Sequence, residues 1–244
     1  MRKQVYPDDP RLSYSGYVQK DIDSSRAAFP RRYADNLGGF RDAALQSPGA
    51  SVRWRTNAEE VTVVLEYLGT GHQCSESCAR RSDNGECYSK VCQAQCAVLL
   101  YVDGQRQDGV AKSSDGKYKG TVRVLAMAQQ IMSVHQYEVV LPWNAVIELR
   151  SIELSGRRST PQLMPNPPPP HFTYIAYGDS IVQGWCAPEP YPQLIARRNG
   201  WQSVNMGIAG MGAVDEQPWG HGAAVAQMQG DLISVAIGIN DFWW

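Results

Sequence analysis

A run of four prolines, residues 167–170, divides the chain into two parts with different hydrophobic patterns. Consecutive prolines favour the extended polyproline II conformation and make a semi-rigid spacer. Before them, short apolar segments alternate with turn signals, whereas after them longer apolar runs alternate with helix-like segments. We therefore interpret residues 161–170 as a linker between an all-β part and an α/β part.

The part before the linker has the pattern of a β-sandwich. Alternation along Val61–Tyr67 places the four odd-numbered apolar residues on one face of a strand. Five further segments have strand-like composition: Val52–Thr56, Ala97–Val102, Thr121–Met127, Tyr137–Leu141 and Val146–Leu154. Several short strands with few helices favour a jelly-roll-like sandwich over residues 51–160. Residues 1–50 are polar and contain a Ser-Pro-Gly turn, so we expect an irregular N-terminal segment.

Five of the six cysteines lie within residues 74–96, which we interpret as an insertion between two strands of the sandwich. Such density is typical of a disulfide framework made in an oxidising compartment, so we expect a secreted or extracellular protein. The N-terminus, Met1–Pro10, lacks the apolar core of a signal peptide. A zinc site is the alternative, but Cys-x3-Cys spacing with only His72 nearby suits zinc poorly.

The spacing of the cysteines suggests one disulfide pattern among many. In the two Cys-x3-Cys pairs, the paired positions lie about one helical turn apart. Bonds joining Cys74 to Cys96 and Cys78 to Cys92 would staple two antiparallel helices. Cys87 would then be free or bonded to Cys186. Six cysteines allow many connectivities, so the pattern stays open.

The charge and composition of the chain argue against nucleic acid and membrane as partners. The formal net charge is −1, charged residues make up 19% of the chain, and no long basic run occurs. Nucleic acid and anionic membrane surfaces are therefore poor partners. No apolar run reaches the roughly 18 residues of a membrane-spanning helix. No motif predicts a cofactor, and we expect chemistry without a bound metal.

Three apolar runs after the linker end in polar or glycine-rich tips. The three runs, each with the candidate site residue that follows it, are Phe172–Tyr177 with Ser180, Trp201–Met206 with Gly210, and Asp231–Gly238 with Asn240. The intervening segments Tyr191–Arg198 and Ala223–Gln229 are predicted helices. Near-continuous apolar strands separated by helices indicate a parallel sheet covered on both faces. The carboxyl ends of such strands meet at one edge, where α/β proteins bind ligands.

Each of these three tip residues has a simpler interpretation when it is taken alone. Ser180 fits a helix N-cap, because serine is favoured there. Gly210 fits an ordinary turn, and Asn240-Asp241 fits the polar end of a loop. The three together, in this order, are more specific than any one of them.

The blocks Gly178-Asp179-Ser180, Asn205–Gly212 and Gly238–Asp241 resemble the SGNH (GDSL-type) hydrolase family in order and spacing. The resemblance implies a flavodoxin-like sheet with Ser180 as the catalytic nucleophile. It also implies an oxyanion hole made by the backbone N–H groups of Ser180 and Gly210 and the side-chain amide of Asn240. We expect Asp179 to brace the turn. A 2-1-3 strand order would bring Ser180 and Asn240 to neighbouring strand ends.

The family's general base comes from a late Asp-x-x-His block, and the chain stops at Trp244, soon after its third block. We therefore expect residues 171–244 to be the first half of the hydrolase domain, with the base beyond residue 244. On this interpretation, the third strand has an unpaired apolar edge and the chain turns over esters weakly at most. We expect His221 to be a structural or surface residue and not the general base. His72, His135 and His171 have no predicted catalytic role.

The layout narrows the resemblance further. A sandwich, a proline-rich joint and then Gly-Asp-Ser-Ile resemble the two-domain carbohydrate esterases of the acetylxylan esterase type. That resemblance implies a sandwich packed beside the site and a serine esterase that removes O-acetyl groups from an acylated carbohydrate. The alternatives are a lipid or thioester hydrolase on the same scaffold and a non-catalytic carbohydrate-binding protein. The sequence does not specify the oligomeric state.

Overall fold

A computed structural model of the chain describes residues 1–16, 21–28, 45–46, 48–70, 98–107, 120–127, 133–143, 145–185, 187, 189–212 and 221–243. All six cysteines and His72 lie outside these residues. The helical hairpin, the disulfide pattern and the rival zinc site therefore stay predictions. Within the described ranges, no helix is long and apolar enough to cross a membrane.

The described residues form fifteen strands and a few short helices. In chain order the strands are β1 Arg2–Val5, β2 Ser13–Ser15, β3 Asp21–Ile22, β4 Ala27–Ala28, β5 Ser51–Thr56, β6 Glu60–Thr70, β7 Leu99–Val102, β8 Gln105–Gln107, β9 Gly120–Met127, β10 His135–Val140, β11 Ala145–Ser155, β12 Leu163–Met164, β13 Thr173–Gly178, β14 Gln202–Gly207 and β15 Leu232–Ala236. The helices are α1 Ser180–Gln183, α2 Tyr191–Asn199 and α3 His221–Ala226, followed by a 3-10 helix, Ile239–Trp243.

Strands β1–β12 form a sandwich of two antiparallel sheets. One sheet has the order β3-β4-β11-β6-β9 with β1 on β11, and the other has the order β12-β5-β10-β7-β8 with β2 on β5. Alternate residues of β6 point into the space between the sheets, where Val61, Val63 and Leu65 are almost fully buried. Trp54 and Tyr137 stack there with ring centroids 5.6 Å apart. The predicted sandwich is confirmed.

The N-terminal segment was expected to be irregular, and this expectation is wrong for the part the structure describes. Strand β1 runs antiparallel to β11, with Arg2 opposite Ser155 and Val5 opposite Ile152. Strand β2 pairs with β5 in the other sheet. Main-chain hydrogen bonds attach such short strands to their sheets. Val5 is the only residue of β1 that is buried. A strand with one buried side chain leaves little hydrophobic alternation in the sequence.

The linker is also more ordered than its composition predicts. Leu163 and Met164 form β12 and pair with β5, inside the range expected to be a spacer. Just beyond them, the Asn166 side-chain amide donates to the carbonyls of Arg11 and Arg53, at 2.8 and 2.9 Å. The four prolines therefore start from a point that is fixed to the sandwich.

After the prolines, β13, β14 and β15 form a parallel sheet with the order β14-β13-β15. This is the predicted 2-1-3 order, with the first strand in the centre. Ile175, Met206 and Ile208 are fully buried in its core. In the described part of the chain no strand pairs with the outer side of β15. There Leu232, Ile233 and Val235 are 43%, 42% and 65% exposed, so this strand is an apolar edge.

Candidate active site

Ser180 is the first residue of α1, directly after the central strand of the parallel sheet. The N-cap of that helix is Asp179, whose Oδ1 accepts a hydrogen bond from the backbone N–H of Ile181 at 2.9 Å. Asp179 is buried, and its own N–H donates to the carbonyl of Ala236 at 3.3 Å. Ser180 is therefore not the capping residue. Asp179 braces the turn as expected, and the hydroxyl of Ser180 is not needed for capping.

Two glycines allow α1 to lie directly on the strands. A Cβ atom on Gly178 would lie 2.1 Å from the carbonyl oxygen of Ala236, and one on Gly207 would lie 2.1 Å from the backbone nitrogen of Gln183. Both distances are shorter than any side chain tolerates, and both contacts are with backbone. Gly178 and Gly207, the last residues of β13 and β14, are therefore glycines because the backbones approach closely.

The loop that carries Gly210 follows β14 and is fastened to α1. Gly210 has a φ of +84° and is exposed. Just before it, the N–H of Ala209 donates to Oε1 of Gln183 at 2.6 Å. Gln183 is fully buried, and its Nε2 donates to Oε1 of Gln46 at 2.6 Å and to the carbonyl of Trp143 at 3.2 Å. One side chain thus joins the serine helix, the Gly210 loop and two segments that precede the linker.

Asn240 fastens the same loop from the other side. It lies in the 3-10 helix after β15, and its Nδ2 donates to the carbonyl of Met211 at 2.8 Å. A side-chain amide has two N–H donors, so this bond uses one of them. Ser180, Gly210 and Asn240 therefore lie at the carboxyl edge of three adjacent strands. The structure brings these residues together, and their roles in an oxyanion hole stay predictions.

Sequence reasoning missed two buried polar residues that build this edge. One is Gln183, and the other is Asn205 in β14. Asn205 Nδ2 donates to the carbonyl of Val182 at 2.7 Å, and its Oδ1 accepts from the N–H of Gly207 at 2.9 Å. The available signal was a polar side chain inside an apolar run, since such a residue is buried only with partners.

The described histidine side chains lie away from Ser180. His135 in β10 bonds through Nδ1 to Asp103 and through Nε2 to Ser133, both at 2.6 Å. This Ser-His-Asp order also occurs in catalytic triads. Here, however, Asp103 is the first residue of the β7–β8 turn and also accepts from the N–H of Gln136 at 2.8 Å. The cluster fastens that turn.

His171 is exposed at the end of the linker, and His221 is the first residue of α3. The expectation that His221 is not the base is not tested by these positions. Among the described residues, no group of three or more histidine, cysteine, aspartate or glutamate side chains is arranged to hold a metal ion.

Residues 176–244, here called the GDSL segment, match the profile of the GDSL-like lipase/acylhydrolase family. The C-terminal part of the chain is therefore similar to this family. The match covers the strand, turn and helix that position Ser180, and both flanking strands with Gly210 and Asn240. No curated protein sequence is significantly similar to the chain.

Solved structures resemble the sandwich and the GDSL segment together. A salicylyl-acyltransferase from a tetracycline biosynthetic pathway is 20% identical with a TM-score of 0.69, and the match covers 99% of this chain and 63% of that one. A family two carbohydrate esterase from Cellvibrio japonicus is 17% identical with a TM-score of 0.59, covering 99% and 69%. Another from Clostridium thermocellum, in complex with cellohexaose, is 12% identical with a TM-score of 0.54, covering 98% and 67%. At these identities the likeness shows the fold. The chain spans about two thirds of each relative's length.

A buried charge cluster joins the GDSL segment to the sandwich. The guanidinium of Arg197 in α2 contacts Glu138 of β10 at 2.5 Å and Glu189 at 3.0 Å, and it lies 3.9 Å above the centre of the Tyr101 ring. The hydroxyl of Tyr101 donates to Oε2 of Glu189 at 2.5 Å. Arg53 makes a second ion pair with Glu138 at 2.9 Å. The two parts of the chain are therefore held in one arrangement by paired charges as well as by Gln183.

Two pKa shifts follow from this cluster. Burial raises the pKa of Tyr101, and its hydrogen bond to the Glu189 carboxylate raises it further. Burial also acts to raise the pKa of Glu138, but the charges of Arg53 and Arg197 outweigh it, so that pKa lies below its ordinary value. Glu138 is thus ionised at neutral pH and is neutralised by two arginines.

Proposed function

We propose that this chain carries the nucleophile and oxyanion hole of a serine hydrolase that removes acyl groups, chiefly acetyl, from carbohydrates. The observation that carries the proposal is the fastening of the Gly210 loop between Gln183 and Asn240. On this proposal, the Gly210 N–H and the Asn240 amide are the donors that serve Ser180, and the fastened loop supports it by limiting their movement. The match of residues 176–244 to the GDSL-like lipase/acylhydrolase profile supports the reaction class. The fold likeness to carbohydrate esterases supports the substrate class.

The proposed reaction has two half-reactions. The Oγ atom of Ser180 attacks the ester carbonyl carbon and loses its proton to a general base, while the carbonyl oxygen becomes an oxyanion. The N–H groups of Ser180 and Gly210 and the remaining amide N–H of Asn240 donate to that oxyanion. Collapse breaks the bond to the sugar oxygen, which takes a proton from the base and leaves. Water then attacks the acyl-enzyme through the same base and donors and releases the carboxylic acid.

The base is the part of this mechanism that the described residues do not supply. Of the described histidine side chains, His135 is bonded within the sandwich and His171 lies on the linker. We propose a histidine base from outside the described residues.

Replacement of Ser180 by alanine tests the proposal. The variant should lose all hydrolysis of p-nitrophenyl acetate and acetylated xylan above the uncatalysed rate, because the attacking oxygen is gone. The matched control is Ser159→Ala, an exposed serine in a bend of the sandwich, which should retain the wild-type rate. A fluorophosphonate probe followed by mass spectrometry should label Ser180 in the wild type. Equal turnover by Ser180→Ala and wild type, both above the uncatalysed rate, would show that the proposed nucleophile is wrong.

Two other functions are distinguished by the same assays. A series of p-nitrophenyl esters from acetyl to palmitoyl measures the preference for acyl length, and a strong preference for long chains indicates a lipid or thioester hydrolase. Oligosaccharide binding without any turnover or labelling indicates a carbohydrate-binding protein. The proposed site of action is extracellular, on the basis of cysteine density.

A further inference from the structure

We propose that Trp185 is a binding platform for a pyranose ring of the substrate, next to Ser180. The proposal rests on the function proposed above and specifies its substrate class. Trp185 follows α1, and its backbone N–H donates to the carbonyl of Ser180 at 2.8 Å. Gly184, at a φ of +116°, ends the helix and turns the chain. The backbone of the tryptophan therefore lies one hydrogen bond from the backbone of the nucleophile.

The indole of Trp185 packs against Trp143, a residue that precedes the linker. Its ring lies 5.9 Å, centroid to centroid, from the ring of Trp143, at an angle of 38°. Trp143 is 2% exposed, and its carbonyl accepts a hydrogen bond from Gln183. The Trp143 ring also lies over Gly184, since a Cβ there would be 3.3 Å from its Cδ1. The platform is therefore packed against a buried neighbour, which limits the entropy lost on binding.

Despite this packing, 41% of the Trp185 surface is exposed. Tryptophan combines a large apolar face with one N–H donor, a combination that suits contacts with amphipathic partners. A pyranose ring is such a partner, because C–H groups cover its faces and hydroxyl groups surround its edge. An alkyl chain is instead held best in an enclosed apolar channel. A partly exposed tryptophan whose backbone bonds to that of the nucleophile therefore favours a sugar ring over a fatty acyl chain.

Isothermal titration calorimetry with cellohexaose and xylohexaose tests this platform without using turnover. Trp185→Leu retains apolar packing against Trp143 but lacks an aromatic face, and it should bind the saccharide at least about 10-fold more weakly than wild type. Trp185→Tyr should stay within about threefold of wild type, because an aromatic face remains. Tyr6→Ala removes another exposed aromatic residue, 49% exposed in the sandwich, and should leave the affinity unchanged. Circular dichroism of each variant reports folding.

Two outcomes overturn the platform: no saccharide binding by the wild-type chain, or equal affinities of Trp185→Leu and wild type. Hydrolysis of p-nitrophenyl acetate, which has no sugar, separates this result from the proposed function. If Ser180→Ala hydrolyses this ester like wild type, the nucleophile is wrong, whatever Trp185 binds. If Trp185→Leu retains hydrolysis of this ester but loses activity on acetylated xylan through a higher KM, Trp185 contributes to substrate binding at the Ser180 site.

Discussion

At the scale of single residues, Gln183 is the side chain on which the geometry of the site most depends. It makes hydrogen bonds to Ala209, Gln46 and Trp143 from a fully buried position. Gln183→Ala leaves these partners without their bonds, and each unsatisfied buried group costs about 1–3 kcal/mol. We expect a loss of several kcal/mol in the free energy of unfolding, measured with urea. Turnover should also fall, because the Gly210 loop loses its attachment to the Gln183 side chain.

The control for this prediction is Gln162→Ala, since Gln162 is exposed and bonds through its backbone. It should change the free energy of unfolding by less than about 0.5 kcal/mol. If the two variants were equally stable, the buried network around Gln183 would not be holding the loop. Nothing in the residue type indicated this role, because glutamine is common on surfaces. The role of Ser180 could be predicted because the Gly-Asp-Ser block is part of a recognisable pattern.

At the scale of elements, the strands of the parallel sheet were predictable to within a residue or two. The strand predicted at Phe172–Tyr177 is observed at Thr173–Gly178, and the strand predicted at Trp201–Met206 is observed at Gln202–Gly207. Both are buried strands; β13 is apolar on both faces, whereas β14 has the buried polar residues Ser203 and Asn205 on one face. The short strands β1–β4 were not predictable, because their position depends on main-chain pairing with distant strands such as β11. Such pairing leaves no local pattern.

The contact between α1 and β14 gives a prediction at the same scale. Gly207→Ala places a Cβ 2.1 Å from the backbone of Gln183, and neither backbone can yield without moving the helix that carries Ser180. We expect destabilisation of about 3 kcal/mol or more, together with lost turnover. The comparison is Gly200→Ala, at a φ of +68° with nothing within 4 Å of the added Cβ. Conformational strain alone should cost it about 1–2 kcal/mol. A smaller effect at Gly207 than at Gly200 would mean that α1 does not lie this close to the strand.

At the scale of the whole molecule, the sandwich and the GDSL segment are joined by buried carboxylates and partly buried arginines that lie far apart in the sequence. Glu138 is in the sandwich and Arg197 is in α2, with side chains 8% and 28% exposed. Neither position carries a sequence signal, because each charge has a reason to be buried only once its partner is placed. The linker prolines were predicted as a spacer and the resemblance implied a sandwich beside the site, but the residues that hold the two parts together could not be predicted. This junction also positions Trp143 against Trp185, so it bears on the substrate site.

The pH dependence of stability tests this junction. The pKa of Glu138 is lowered on folding, so its contribution to stability is fully present above the ordinary carboxyl value of 4.5 and is lost as the pH falls through the lowered pKa. Glu138→Gln leaves Arg53 without a carboxylate partner and weakens the pairing of Arg197. Breaking a buried pair in this way costs roughly 3–5 kcal/mol at pH 7. The difference in unfolding free energy between wild type and variant should shrink as the pH is lowered below that ordinary value.

The exposed pair Arg123–Glu153 provides the matched control, at 2.8 Å with side chains 59% and 39% exposed. Solvent screens that pair, so Glu153→Gln should cost about 0–1 kcal/mol and show little pH dependence between neutral and acidic solution. Urea unfolding of both variants and wild type at several pH values makes the comparison. If Glu138→Gln behaved like Glu153→Gln, the charge cluster would contribute little to joining the two parts. Docking would then rest on the Gln183 network and on the packing of Trp143 against Gly184 and Trp185.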